Sequence, residues 1–161
     1  MTKGQAKAVT MPDMTGRCMQ IQVHDDGQSE YVEIRNHSQI TQPLTDWVLA
    51  SLKCNQFYTL LAITLNPGAT IRVHSGPDAI NNPPNDWLWT TDNVWRNNCH
   101  VAILFDSEGK EVARHAHRSG HRAKPSLHKT KVLMRENGKF VIVNQAQRIG
   151  DNPRRWPWAR P

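Results

Sequence analysis

Residues 83–95 read PPNDWLWTTDNVW, and residues 101–114 follow as VAILFDSEGKEVAR. The first stretch sets Trp87, Trp89 and Trp95, three of the six tryptophans in a 161-residue chain, within nine residues. In an extended strand, positions i and i+2 share a face, so Trp87 and Trp89 point one way and Leu88 the other. Indoles closed between two sheets remove a large apolar area from water, which makes core closure the first reading and ligand stacking the second. The second stretch is an apolar run, VAILF (101–105), closed by an Asp106-Ser107-Glu108-Gly109 turn and resumed as KEVAR (110–114). Short apolar run, turn, short run is the punctuation of β-structure.

The same punctuation extends towards the N-terminus. CMQIQVH (18–24) puts Met19, Ile21 and Val23 on one face, and DDGQS (25–29) is a turn. EYVEIRN (30–36) alternates again, with Tyr31 or Val32 and Ile34 marking the inward side. A polar loop, HSQITQPLT (37–45), leads to DWVLASL (46–52) and to QFYTLLAIT (56–64), which is apolar with an ambiguous period. Asn66-Pro67-Gly68 is a strong turn signal, because proline fixes its own φ and glycine supplies a positive one. ATIRVHSG (69–76) sets Ile71 and Val73 against Arg72 and His74. Seven or eight short strands with frequent turns, no sustained 3.6-residue period, no heptads and no internal repeat predict an all-β chain. The predicted architecture is a two-sheet antiparallel β-sandwich over residues 18–115. Trp47, Trp89, Trp95, Ile34, Val73 and Ile103 are its expected core.

The flanks differ from this body. Residues 1–17 are polar and small and read as a flexible arm. Residues 116–161 carry eleven Lys/Arg and two acids, a net +9, which leaves nine basic and twelve acidic groups, a net −3, in residues 1–115. Such asymmetry points to a polyanionic partner or to packing of the extension on an acidic surface. Within the extension, KVLMRENGKFVIV (131–143) predicts a β-hairpin about Asn137-Gly138. A lone hairpin is marginal in water, so this one has to dock on the body, on another subunit or on a partner. RIGDNPRRWPWARP (148–161) has three prolines and reads as extended.

Several classes are disfavoured. No run approaches the 18 apolar residues of a membrane span, and the first residues lack the apolar core of a secretory signal, so an intracellular location (cytoplasm, nucleoid or nucleus) is expected. Cys18, Cys54 and Cys99 are odd in number, without CxxC spacing, and read as reduced thiols. Asn36-His37-Ser38 fits a glycosylation sequon by chance. No nucleophile elbow, phosphate loop, HExxH or dinucleotide fingerprint is present. Asp25-Asp26 and Asp106 with Glu108 sit in turns, where carboxylates serve turn geometry rather than acid–base work. No enzymatic activity, cofactor or small-molecule substrate is expected. His115, His117, His121 and His128 have a spacing that can suit zinc, but no carboxylate lies among them and Arg114, Arg118, Arg122 and Lys124 would repel a dication. They stand as a weak alternative.

Lys and Arg hold phosphates by releasing condensed counterions, which needs no particular fold. Arg118, Arg122, Lys124, Lys129, Lys131, Arg148, Arg154, Arg155 and Arg160 are the candidate contacts, with Trp156 and Trp158 as faces on which bases stack. The competing reading is equally physical: Trp and Arg also anchor protein interfaces, and the extension would then lock into an assembly, possible homo-oligomers included.

Taken together, EYVEIRNHS, LTDWVLAS, LNPGATIRVHSG, NNPPNDWLWTTDNVW and VAILFDSEGKEVAR, in this order across residues 18–115, resemble the lamin tail domain. That family is an immunoglobulin-like sandwich found at the C-terminus of nuclear lamins and in scattered bacterial and archaeal proteins. The resemblance implies binding and scaffolding, with DNA, chromatin and proteins as partners, and implies neither a reaction nor a cofactor. The lamin rod is missing, and the basic extension has no counterpart in the resemblance. A nucleic-acid-binding module is therefore the leading expectation, and a structural subunit whose hairpin and tail dock on neighbours is the alternative.

Overall fold

The alternating runs become two facing four-stranded sheets in a computed structural model that describes residues 18–26, 29–95, 99–118 and 130–144. In chain order the strands are β1 (Met19–Asp25), β2 (Glu30–Asn36), β3 (Gln42–Pro43), β4 (Val48–Ser51), β5 (Gln56–Thr59), β6 (Thr64–Leu65), β7 (Thr70–Ser75) and β8 (Asp86–Leu88). They continue with β9 (Cys99–Phe105), β10 (Glu111–Arg118), β11 (Lys131–Glu136) and β12 (Lys139–Asn144). Sheet one runs β1-β2-β7-β8 and sheet two β10-β9-β4-β5; β3-β6 is a small ribbon and β11-β12 the hairpin. All pairs are antiparallel except β7 with β8. The chain is thus the expected all-β, immunoglobulin-like sandwich with a C-terminal hairpin. Among the described residues no helix is long and apolar enough to cross a membrane.

Sheet one obeys the period of two. Met19, Ile21 and Val23 of β1, Val32 and Ile34 of β2, and Ile71 and Val73 of β7 all face sheet two, where Leu49, Ala102 and Leu104 meet them. The inward set of β2 is therefore the one with Val32, and Tyr31 points out. Val112 and Ala113 both reach this core although they are adjacent. A register shift between Glu111 and Ala113 allows it, because a bulge places two residues opposite one.

Sheet two breaks the period for a physical reason. Val48, Ala50, Ile103 and Phe105 form a second apolar cluster on its other face, together with Leu133 of the hairpin. VLAS and most of VAILF are consequently buried on both sides, and strands of that kind read as continuous apolar runs. Of the three docking partners open to the hairpin, the body takes it. Leu133, Phe140 and Ile142 lie against sheet two, with Phe140 and Phe57 ring centroids 5.1 Å apart. Buried Leu133 contributes roughly 1.5–3 kcal/mol and half-buried Phe140 and Ile142 correspondingly less, which offsets the marginal stability of a two-stranded unit. Backbone contacts fix the register: the Leu133 N–H donates to the Gly109 carbonyl at 2.8 Å, and Lys110 bridges to Val132. The Glu111 carboxylate, held by Arg114 at 2.7 Å, accepts from the Lys131 N–H at 2.6 Å. Asn137 and Gly138 have the positive φ values, 50° and 76°, that their turn requires.

Three segments depart from the sequence expectation. Leu44 is fully buried within the polar-looking stretch 37–45. The run 56–64 is not one strand: Leu60 and Ile63 are buried, Leu61 is exposed, and Ala62 between them takes a positive φ, so the chain bends from β5 into β6. Leu60 exchanges backbone bonds with Asp46 and Trp47 at this bend. Strand β10 pairs with β9 as far as Arg118, so residues 116–118 are sheet rather than the start of the extension. Residues 1–17, read as an arm, lie outside the described residues.

Gly109 is the hinge of the docking. Its φ is +81°, and a Cβ there would lie 2.1 Å from the Leu133 carbonyl oxygen. Gly109→Ala is expected to cost at least about 1–3 kcal/mol, the usual range for strained backbone. Urea denaturation checks this, and an unchanged midpoint and slope would mean the hairpin does not close on this turn.

Candidate functional site

Glu30 organises the tryptophan-rich stretch. It opens β2, points inward and is fully buried. Its carboxylate accepts from the Ser75 hydroxyl at 3.0 Å, the Asn93 amide at 3.0 Å, the Val94 N–H at 2.9 Å and the Trp95 N–H at 3.4 Å. The bonds tie sheet one to the segment that carries Trp95 into the core, where Val94 and Trp95 are 1% and 0% exposed. A buried carboxylate is tolerable only when its lone pairs are filled in this way.

Around Trp95 runs an aromatic row. Trp95 meets Trp89 edge-on at 5.8 Å, and Trp89 meets Tyr58 of β5 at 5.7 Å. Burial pushes the Tyr58 phenol above its ordinary pKa of 10.0. Trp87 and Trp89 both pack on the inter-sheet core, and the Trp87 indole N–H donates to the Pro84 carbonyl at 2.9 Å. Trp47, Trp95, Ile34 and Val73 are buried between the sheets, whereas Trp89 is half-buried at their margin. Ile103 is fully buried too, but on the hairpin side of sheet two. The stretch 83–95 is thus occupied in closing the sandwich.

The outer face of sheet one carries a cluster that the alternation pattern left as plain polar surface. Tyr31 stacks on His24 at 4.5 Å and 19°, approaches His74 at 5.4 Å, and lies under the Arg72 guanidinium at 5.4 Å. The His74 Nε2 is 2.7 Å from Asp86 Oδ1, and His74 is only 5% exposed. The parallel strand β8 returns Asp86 to this place, opposite Arg72. No local signal announces such a pair; only the register of β1, β2, β7 and β8 brings it together.

A groove of about 410 Å³ lies between the Asp106–Gly109 turn, the start of β4 and the hairpin. Buried Val48 and Leu133, with half-buried Met134 and Phe140, are its apolar lining; exposed Asp46 and Glu108 and half-buried Asp106 are its acidic one. Arg135 also lines it, with its guanidinium 4.9 Å from the Phe140 ring centre.

The remaining sequence candidates fall as follows. Asp106 Oδ1 accepts from the N–H groups of Glu108 and Lys110, both at 2.9 Å, and Asp26 Oδ1 from the Ser29 N–H at 2.7 Å, so these carboxylates shape turns. Asn36 of the sequon is fully buried and donates to the Ile40 and Leu65 carbonyls. Cys18 and Cys54 are free thiols. His115 is half-buried in β10 and His117 belongs to the same strand, while His121 and His128 lie outside the described residues. No group of three His, Cys, Asp or Glu among the described residues could hold a metal. Arg118 ends β10, and Lys131 begins β11 with its ammonium donating to Asn144 Oδ1. Arg122, Lys124, Lys129, Arg148, Arg154, Arg155, Trp156, Trp158 and Arg160 lie outside the described residues.

Comparison with known proteins agrees with this geometry. The family model described as the Lamin Tail Domain matches residues 15–119, well over half of the chain. No curated protein matches.

Removing the Glu30 carboxylate leaves up to four donors facing an apolar core. Glu30→Ala is expected to cost roughly 3 kcal/mol or more, since each orphaned buried donor costs about 1–3 kcal/mol. Tryptophan emission should shift to the red as Trp95 loses its enclosure, and Glu30→Gln should recover part of the loss. Urea denaturation followed by fluorescence reads both, and a Glu30→Ala midpoint equal to that of the unsubstituted chain would contradict the assignment.

Proposed function

The chain belongs to the lamin tail domain family, and from that premise we propose that it is a non-enzymatic binding and scaffold module that holds nucleic acid through its basic C-terminal extension. The observation that carries this reading is the pairing at the open end of the hairpin. Lys131 and Asn144 face each other in register, so residues 119–130 arrive and residues 145–161 depart at one place. Two basic runs, one with Arg122, Lys124 and Lys129 and one with Arg148, Arg154, Arg155 and Arg160, are thereby rooted side by side on a unit that is fixed to sheet two. Arg118 at the end of β10 leads into the first run. Clustered cations of this kind bind phosphates by counterion release, and Trp156 and Trp158 add stacking faces. The net negative charge of residues 1–115 disfavours phosphate contacts elsewhere.

A second reading, a subunit of a larger protein assembly, draws on the opposite face of the hairpin. Val132, Met134, Val141 and Val143 share that face and belong to neither apolar cluster among the described residues; Val132 is buried and the other three are half-buried. Strand or face pairing with a neighbour would cover it.

The two readings separate in one titration. Nucleic-acid binding predicts that log K falls linearly with log[salt], with a slope near −0.9 per duplex phosphate neutralised. Arg154→Ala/Arg155→Ala/Arg160→Ala in the full chain should flatten that slope by about two to three units in a protein that remains folded. Fluorescence anisotropy with a labelled duplex measures it. Absence of binding at low salt, with concentration-dependent self-association in sedimentation, would replace the first reading by the second.

A further inference from the structure

We infer that the groove between the Asp106–Gly109 turn and the hairpin is the docking site of the chain's own C-terminal segment, residues 154–160, RRWPWAR, bound in cis. Three features of the groove point to this occupant. The first is charge. Asp46, Asp106 and Glu108 line it against a single cation, Arg135, a balance of two negative charges. The ion pairs at Glu33, Asp86 and Glu111 among the described residues do not engage these three carboxylates. The segment brings Arg154, Arg155 and Arg160.

The second is shape and chemistry. Val48, Leu133 and Phe140 offer an apolar floor with a ring edge, surroundings that suit an indole. At about 410 Å³ the groove falls within the range of roughly 300–1,000 Å³ typical of sites that enclose a small ligand, enough for one or two large side chains. Arg135, already seated on the Phe140 ring, provides a planar surface on which a further aromatic can stack.

The third is reach. The groove lies near the turn end of the hairpin, beside Met134, Arg135 and Phe140, whereas the chain leaves at Asn144, the other end. A tail must run back along the hairpin, about 20 Å for six paired residues at roughly 3.4 Å each. Nine residues, 145–153, separate Asn144 from Arg154, and the ten extended steps between them span up to about 33–36 Å. Pro153 and Pro157 restrict the unbound segment and so reduce the entropy lost on docking. A tethered ligand of this length also meets its groove at a high effective concentration, which favours the same copy over a neighbouring one. A nucleic acid and the groove would compete for Arg154, Arg155 and Arg160, so the inference concerns the chain free of nucleic acid, and its test contains none.

The test is photo-cross-linking in the full chain, with Trp156→p-benzoylphenylalanine as the only substitution. Irradiation should give an internal cross-link to Leu133, Phe140 or another lining residue of the groove, mapped by peptide mass spectrometry, in a yield that does not change on dilution. Asp46→Asn/Glu108→Gln, which alters two exposed side chains, should lower that yield by about fivefold or more, the upper end of what one exposed ion pair contributes. Raised salt on the carboxylate-bearing chain should act in the same direction. Cross-links to another part of the body, no cross-link, or groove cross-links only between two copies with yield rising with concentration would each overturn the proposal.

Discussion

Sheet two has to be covered on both faces, and most of the architecture follows from that constraint. Its inner face, with Leu49, Ala102 and Leu104, meets sheet one; its outer face, with Val48, Ala50, Ile103 and Phe105, would be a water-exposed apolar patch in a bare two-layer sandwich. The hairpin supplies a third layer. Leu133, Phe140 and Ile142 close the outer face, and Gly109 lets the hairpin backbone approach the β9–β10 turn closely enough to bond to it. Docking then decides where both basic segments are rooted and creates the groove beside the turn. A feature that looked like an appendage in the sequence is part of the fold.

Legibility from sequence followed the range of the contacts involved. Strands with one buried face, β1, β2 and β7, announced themselves by alternation, and the hairpin by Asn137-Gly138. β4 and β9 showed only as apolar runs, because covering both faces erases the alternation, and nothing local told which face the hairpin would take. Leu44 was hidden by polar neighbours in a stretch whose other aliphatic residue, Ile40, is exposed. Glu30 was the largest omission. A glutamate opening a strand looks like solvated surface, yet its ligands come from Ser75 and from residues 93–95, more than forty positions along the chain. The His74–Asp86 pair escaped for the same reason: it exists only once β8 has joined β7 in parallel.

The six tryptophans divide by role. Four of them, Trp47, Trp87, Trp89 and Trp95, belong to or pack on the inter-sheet core, and the Lamin Tail Domain match spans them. Trp156 and Trp158 stand among arginines, beyond the matched residues and outside the described ones. The contacts proposed for nucleic acid lie beyond the residues that the family model matches, apart from Arg118. The frame contributes a rigid, mildly acidic body, and the hairpin joins the two.

Native-state hydrogen exchange on the unsubstituted chain tests that joining most directly. The Leu133 amide, bonded to Gly109, and the Ile103 amide of β9 report the hairpin and sheet two separately. If the hairpin is the third layer of the fold, Leu133 opens only with sheet two, and its opening free energy lies within about 1 kcal/mol of that of Ile103, the mark of one cooperative unit. A Leu133 amide that exchanges with an opening free energy near zero, while Ile103 stays protected, would show that sheet two stands without its cover and would contradict the account.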